Sequence, residues 1–297
     1  MIDLHRTPTY QAPAEALMGV RVLDATPEST RSVQTILPPA KLRSLGWAGV
    51  LVDTSCGRSI AVSAPPGTQC LTTSMHIELV RPSQDEPSQD AVDGSSWELS
   101  WRGRGRPVHL DENWALGEVL IEDAGSGPLI RATTRFLMRP GSYDGTEPAD
   151  PPVELPAPAD SDDLLARFGL RRDRTGEATT RLTYTPRPEH ANPHDTVHGG
   201  LHAAMLDLAM NSALEAMGSA SDWTLLALDI GFHRPIPVAG EPAVLEAKTR
   251  HSGRRTALAE AWIRTDTGKL LTTARGHYGR PPAENGTWRP VEGDTSR

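Results

Sequence analysis

Cysteine and lysine are nearly missing from this sequence of 297 residues. The two cysteines, Cys56 and Cys70, cannot build a disulfide framework, and no cysteine and histidine cluster has the spacing of a metal site. No apolar run approaches the roughly eighteen residues of a membrane-spanning helix, and the first thirty residues lack the apolar core of a signal peptide. We therefore expect a cytoplasmic protein with reduced thiols, no metal and no membrane association.

Basic residues are also outnumbered, and the formal net charge is -8. This charge argues against a general nucleic-acid partner or a membrane surface, so that a polyanionic ligand would need a local basic patch. The hydrophobic fraction of 37% is low, but it is diluted by connectors rich in proline and aspartate. A chain of this length suggests two domains of ordinary size.

A proline-rich segment divides the chain, and similar patterns lie on either side of it. Residues 141–162 are typical of an extended, semi-rigid linker. We expect an N-terminal domain over 14–140, a C-terminal domain over 163–281 and a tail over 282–297. In each half a short helix ends at a glycine, Gly19 or Gly169. Such an internal repeat decides the architecture.

Hydrophobic periodicity supplies the remaining elements of both halves. The N-terminal half is predicted to hold helices at 15–18 and 42–60 and strands at 31–37, 72–80, 97–102, 114–122 and 129–138. The C-terminal half is predicted to hold helices at 162–168 and 199–217 and strands at 179–185, 224–233, 243–251, 257–265 and 270–278. A long helix followed by antiparallel strands predicts an α+β fold, with one sheet wrapped on one helix in each half.

The most informative motif is Asn192, then His198-Gly199-Gly200, then Asp207. Two glycines open a helix, and bare amides at a helix start form an anion or oxyanion site. A carboxylate on an otherwise apolar helix usually has a chemical role or a polar partner. The alternative is a capped helix start with a tolerated buried acid.

The spacing Asn-x5-His-Gly-Gly-x6-Asp resembles the hotdog-fold acyl-CoA thioesterases of the PaaI-like type. The resemblance covers about 165–281 well and about 14–140 more weakly. It implies a double hotdog, in which two fused helix-and-sheet units form an intramolecular pseudo-dimer. It also implies an acyl-CoA substrate with coenzyme A as part of it, no separate cofactor, and a possible homodimer of double hotdogs.

In this family one copy supplies the asparagine loop and the His-Gly-Gly start, while the other supplies the acid and a hydroxyl on the next strand. The C-terminal half carries the loop but has Leu225 at the hydroxyl position. The N-terminal half carries Asp53 and Thr72 but has Ser44-Leu45-Gly46 in place of His-Gly-Gly. We therefore expect one asymmetric site, with Asn192 and Gly199 facing Asp53 and Thr72. The alternative is that Asp53 is a surface or capping acid.

Thioester hydrolysis gives each of these residues a role. The Gly199 amide meets the charge that develops on the carbonyl oxygen, and Gly199 and Gly200 let the substrate approach the backbone. Asn192 holds the same oxygen or shapes the loop. His198 fixes the loop; the alternative role of general base is already filled by the acid. Asp53 acts as general base or as nucleophile, and Thr72 orients the water or the acid. Burial should raise the pKa of the carboxyl.

Arginines at predicted turns are the candidate ligands of the coenzyme A phosphates, because the guanidinium fork suits phosphate. Arg250, Arg254 and Arg255 flank one strand turn, and Arg104 and Arg106 are placed at the matching turn of the other half. Solvated hairpin tips are the alternative.

Two other functions remain open at the sequence level. One is a non-catalytic acyl-CoA-binding protein whose site has decayed, since one of the two expected sites already lacks its residues. The other is a hotdog dehydratase or hydratase, whose pattern of a histidine on a proline-rich loop paired with an acid is not found convincingly.

Overall fold

The computed structural model of the chain describes residues 10–37, 44–81, 100–123, 127–141, 161–217 and 223–280. Its elements fall into two sets that follow one another along the chain. No helix in these ranges is both long and apolar enough to cross a membrane.

The N-terminal half begins with a five-residue helix and ends with four long strands. Its elements are α1 (Pro13–Leu17), β1 (Val20–Ala25), β2 (Thr30–Gln34), a 3-10 turn (Leu45–Ala48) that runs into α2 (Gly49–Ser63), β3 (Thr68–Leu79), β4 (Trp101–Leu110), β5 (Trp114–Glu122) and β6 (Pro128–Pro140).

The C-terminal half repeats this order element by element. It contains α3 (Ser161–Arg167), β7 (Leu170–Gly176), β8 (Thr179–Tyr184), a 3-10 turn (Pro188–His190), α4 (Gly199–Glu215), β9 (Thr224–Phe232), β10 (Ala243–Ser252), β11 (Thr256–Thr265) and β12 (Leu270–Gly279).

The short helices show how closely the halves correspond. Gly19 ends α1 with φ +66° and Gly169 ends α3 with φ +63°, a left-handed conformation that favours glycine. The carbonyl of Gly19 accepts from the Thr35 N–H at 3.0 Å, and the carbonyl of Gly169 accepts from the Thr185 N–H at 2.9 Å. The predicted internal repeat is therefore confirmed residue by residue in this region.

All twelve strands form one antiparallel sheet in the order β1-β2-β4-β5-β6-β3-β9-β12-β11-β10-β8-β7. At its centre β3 pairs with β9, with Met75 opposite Ile230. Read outwards from this pair, the two sides contain corresponding strands in the same order. The halves are thus related by a pseudo-two-fold axis, and the sheet continues without a break from one half to the other.

The sheet encloses α2 and α4, which cross in direct backbone contact. A Cβ atom on Gly200 would collide with the backbone of Gly49 and Val50, and one on Gly49 would collide with the carbonyl oxygen of Gly200. Strands such as β5 alternate buried and exposed residues, so their apolar side chains face the helices. One apolar core spans both halves.

Most predicted elements lie within a few residues of the observed ones, and the differences have physical causes. Strands β1 and β7 were not predicted; they form the two ends of the sheet, and β7 buries little besides Leu170. The strand predicted at 97–102 is wrong in extent, because β4 runs over Trp101–Leu110. Gly103 and Gly105 face α2 there and give no apolar signal. Residues 42 and 43 of the predicted helix, residues 97–99 of the predicted strand, almost all of the predicted linker and the whole tail lie outside the described ranges.

Candidate active site

The start of α4 presents an open hydrogen-bond donor. His198 caps this helix, since its Nδ1 accepts from the Gly200 N–H at 3.1 Å. The His198 N–H is itself fixed by the His190 carbonyl at 2.9 Å. Within the described part of the chain, the Gly199 N–H donates to no group. An unused amide at the positive end of a helix dipole is suited to an oxygen that gains negative charge.

Asp53 reaches this helix start from the other half of the molecule. It lies on α2, and its Oδ1 accepts a hydrogen bond from the Thr72 hydroxyl on β3 at 2.9 Å. Its Oδ2 lies 3.3 Å from His198 Nδ1. A Cβ atom on Gly199 would stand 2.8 Å from the same Oδ2. The structure therefore brings together Asp53, Thr72, His198 and Gly199.

The environment of Asp53 favours its protonated form. Burial raises the pKa of this carboxyl above its ordinary value of 3.8, while His198, the Thr72 hydroxyl and the Gly200 N–H each oppose the rise, and the charge of Glu15 adds to it. The net direction is upward, as expected for a carboxylate removed from water. A raised pKa makes Asp53 a stronger base than an exposed aspartate.

Asn192 organises the loop that leads to α4. Its Oδ1 accepts from the His194 N–H at 2.8 Å and from both the N–H and the hydroxyl of Thr196 at 3.2 Å. An asparagine that bonds to its own backbone in this way fixes a turn. Asn192 was predicted either to hold the carbonyl oxygen of the substrate or to shape the loop, and these contacts are those of a residue that shapes the loop.

Asp207 occupies the position that the pseudo-two-fold axis relates to Asp53. We call the surroundings of Asp53 and of Asp207 the first and the second crossing of the two halves. The side chain of Asp207 is 0% exposed. Its Oδ2 accepts from the Ser44 hydroxyl at 2.8 Å and from the Gly46 N–H at 3.0 Å, and its Oδ1 accepts from Asn211 at 3.0 Å. Burial raises its pKa to about 6. This acid is occupied by protein groups on both oxygens, so it stands apart from the predicted site.

The strand position next to Asp207 also differs from its counterpart. Leu225 on β9 is buried and pairs with Tyr278 in the place where Thr72 pairs with Phe136. The hydroxyl that bonds Asp53 therefore has an apolar side chain as its equivalent. The Tyr278 hydroxyl lies near Asp207; burial raises the tyrosine pKa, and the charge of Asp207 adds to the rise.

The placement of Arg104 and Arg106 at a turn is wrong. Both lie within β4 on the outer face of the sheet, because the alternating glycines face α2, and Arg106 pairs with Glu118 at 2.5 Å. The turn of this half that matches the β10–β11 turn joins Leu110 to Trp114 and carries Asp111 instead.

The other three arginines lie on or beside the predicted turn but away from Asp53. Arg254 and Arg255 join β10 to β11, and the Arg255 carbonyl accepts from the Arg280 N–H, next to the strand end that pairs with Leu225. Arg250 is engaged with Glu260 at 2.7 Å. This turn therefore lies on the Asp207 side of the molecule, and phosphate binding by these arginines stays a prediction.

Sequence reasoning missed three polar residues behind His198, namely Glu15, Thr54 and Arg58. Glu15 and Arg58 are 2% and 3% exposed and form an ion pair. The available signal was an acid within the apolar segment of α1 and an arginine within the apolar segment of α2. Charged side chains are rarely fully buried unless they are paired, so these two residues indicate a buried ion pair.

Comparisons with known proteins agree with this architecture. The model of the thioesterase superfamily matches residues 194–272. The tesB protein of Mycobacterium avium subsp. paratuberculosis is 16% identical with a TM-score of 0.60, covering 88% of this chain and 96% of that one. Acyl-CoA thioesterase II TesB2 of Mycobacterium marinum is 15% identical with a TM-score of 0.57, covering 92% and 100%.

A third structure, a hot dog fold protein of Alicyclobacillus acidocaldarius, is 13% identical with a TM-score of 0.59, covering 92% of this chain and 99% of that one. No curated protein matches the sequence significantly. The predicted double hotdog fold is confirmed by the whole-length structural matches and by the twelve-stranded pseudo-symmetric sheet.

Proposed function

We propose that this double hotdog protein, whose C-terminal half matches the thioesterase superfamily, hydrolyses acyl-CoA thioesters at one site between its halves. The observation that carries the proposal is the contact of the Asp53 carboxylate, held by Thr72, with the glycine start of α4. The equivalent carboxylate, that of Asp207, already accepts hydrogen bonds from Ser44 and Gly46. In this proposal the crossing at Asp53 carries the reaction, and the crossing at Asp207 contributes packing.

The proposed reaction begins with the thioester carbonyl at the Gly199 N–H. Asp53 takes a proton from a water molecule as its oxygen attacks the carbonyl carbon, or the carboxylate itself attacks to form an anhydride that water then hydrolyses. The carbonyl oxygen becomes negative and is stabilised by the helix start. In the general-base route the carbon–sulfur bond then breaks, and the thiolate takes up the proton held by Asp53 to give coenzyme A and a carboxylic acid. In the nucleophilic route the thiolate leaves as the anhydride forms, and the water that hydrolyses the anhydride supplies the proton and restores Asp53. Both routes require Asp53 to be ionised first.

Replacing each acid in turn tests the assignment. We expect D53N to lower kcat by at least about 100-fold, because a general base contributes roughly 10²–10⁴ in rate. D207N should keep kcat near that of the wild type, since Asp207 touches no reacting atom in this scheme. The measurement is release of the coenzyme A thiol, followed with a thiol-reactive dye across a panel of acyl-CoAs.

The reverse pattern, loss in D207N with activity kept in D53N, would overturn the assignment. Tight acyl-CoA binding by the wild type without thiol release would instead support a binding protein. The pair T72V and L225T is a matched control on the strand positions. T72V should lower kcat, whereas L225T should not raise it, because the Ser44-Leu45-Gly46 segment lacks the His-Gly-Gly start.

A further inference from the structure

A buried ion pair lies directly behind the candidate site. Arg58 on α2 donates from one Nη atom to both carboxylate oxygens of Glu15 at 3.3 and 3.4 Å. Glu15 Oε2 also accepts from the Ala12 N–H at 2.7 Å, which caps α1. Burying two charges carries a desolvation cost that apolar side chains of similar size would not have. The pair therefore calls for a role beyond filling space.

The Thr54 hydroxyl connects this pair to His198. It donates to Glu15 Oε1 at 3.1 Å and lies 3.5 Å from His198 Nε2. Glu15 Oε1 itself is 4.0 Å from the same nitrogen. The opposite ring nitrogen, Nδ1, accepts from the Gly200 N–H. Nδ1 also lies 3.3 Å from Asp53 Oδ2. With the Asp53 carboxyl protonated, this carboxyl and the Gly200 N–H can both donate to Nδ1, so the neutral ring carries its proton on Nε2, facing Thr54 and Glu15.

The same helix, α1, also holds the loop from the other half. The Ala14 N–H donates to the Ala191 carbonyl at 3.1 Å, immediately before Asn192. Glu15 is therefore positioned on an element that touches both α2 and the loop leading to His198. One hydroxyl and one imidazole ring connect Glu15 to the helix start.

Among the described residues, the second crossing has no equivalent of this network. Corresponding hydrogen bonds in α1 and α3 place Leu165 at the position of Glu15. Aligning Asp207 with Asp53 places Leu208 opposite Thr54, Ser212 opposite Arg58 and Ser44 opposite His198. The polar set is present only beside Asp53, and around Asp207 its equivalents are leucines and serines.

We propose that Glu15 is a positioning residue that acts through Thr54 to hold the His198 ring with Nε2 protonated and Nδ1 directed at the Gly200 N–H. The ring then keeps the start of α4 aligned with the Asp53 carboxylate, and Arg58 holds the Glu15 carboxylate in place. This inference rests on the proposed hydrolysis, because its kinetic consequence is defined only for a protein that turns over thioesters.

Two conservative variants test this role. E15Q removes the charge but keeps an oxygen for the Ala12 N–H, and T54V removes the connecting hydroxyl but keeps the ion pair. Both should lower kcat by roughly 10- to 100-fold, as a displaced catalytic group does, and leave KM nearly unchanged, because neither side chain touches substrate. Nitrogen-15 NMR of histidine-labelled protein should show the Nε2-protonated ring of His198 in the wild type. In both variants the Nδ1-protonated form should become populated.

The NMR measurement separates failure of this inference from failure of the proposed function. If the wild type hydrolyses no acyl-CoA, the function fails, and the ring tautomer still tests whether Glu15 sets it. If E15Q and T54V keep both the tautomer and kcat of the wild type, Glu15 only caps α1 and the inference is overturned. The double variant E15L/R58S copies the second crossing and should fold. Full kcat in this variant would likewise overturn the role.

Discussion

Asp53 and Asp207 occupy equivalent positions, but their surroundings give them different chemistry. Asp53 accepts from Thr72 on Oδ1, and its Oδ2 lies 3.3 Å from His198 Nδ1 at the start of α4, whereas both oxygens of Asp207 are engaged by Ser44, Gly46 and Asn211. Burial raises the pKa of both carboxyls. The hydrogen bonds around each group therefore distinguish the acid that we propose to react from the one that protein groups hold, although the residue type and the burial are shared.

Asp207 should make stability depend on pH. Its pKa rises from 3.8 to about 6 on folding, so the folded protein binds this proton more tightly than the unfolded chain. Its contribution to stability is complete below about pH 4 and is lost as the pH rises through about 6. Relative to D207N, the wild type should lose at most roughly 3 kcal/mol of unfolding free energy between these limits. Urea unfolding at several pH values measures this, and a difference independent of pH would contradict it.

The elements predicted best from sequence are those with a clear period or a marked start. Helix α4 was predicted from its two glycines and its apolar face, and β5 was predicted with its observed ends, because buried and exposed residues alternate along it. Strand β7 was missed because an edge strand with little buried surface has no such period. Strand β4 was mislocated because glycines occupy its inward positions.

The candidate site was predicted where it depends on one motif and missed where it depends on tertiary contact. The placement of Asp53 beside Gly199 followed from counting residues in two copies of a pattern. Thr54 and Arg58 meet Glu15 only after α1 packs on α2, and their separation in sequence gives no indication of this. Arg104 and Arg106 were placed at a turn because the ends of β4 were predicted wrongly.

The contact between α2 and α4 predicts that alanine at two neighbouring glycines lowers two different quantities, kcat at Gly199 and stability at Gly200. In G199A the new Cβ would stand 2.8 Å from Asp53 Oδ2, so we expect kcat to fall with little change in stability. In G200A the Cβ would collide with the backbone of α2, so we expect a loss of roughly 1–3 kcal/mol, as for other overpacked cores. Thiol release and thermal unfolding of both variants measure this, and equal destabilisation of the two would contradict it.

At the scale of the whole molecule, the pairing of β3 with β9 makes the site intramolecular. We expect an equimolar mixture of the D53N and G199A variants to show no more activity than the two variants measured separately, because each chain must complete its own site. The measurement is thiol release by the mixture against each variant alone, with wild type diluted two-fold as the reference. Recovery of activity on mixing would show that the site forms between chains.

The continuous sheet has a further consequence for how such a protein can change. In a symmetric dimer of identical chains, any substitution appears at both crossings. A residue that favours the reaction at one crossing must therefore also be tolerated at the other. Here a single gene encodes both crossings separately. Ser44 therefore donates to the Asp207 carboxylate, while its counterpart His198 lies close to another carboxylate, that of Glu15. Leu165 is a buried apolar side chain, while its counterpart Glu15 is charged. Under the proposed function, fusion allows one copy to specialise in packing and the other in the reaction.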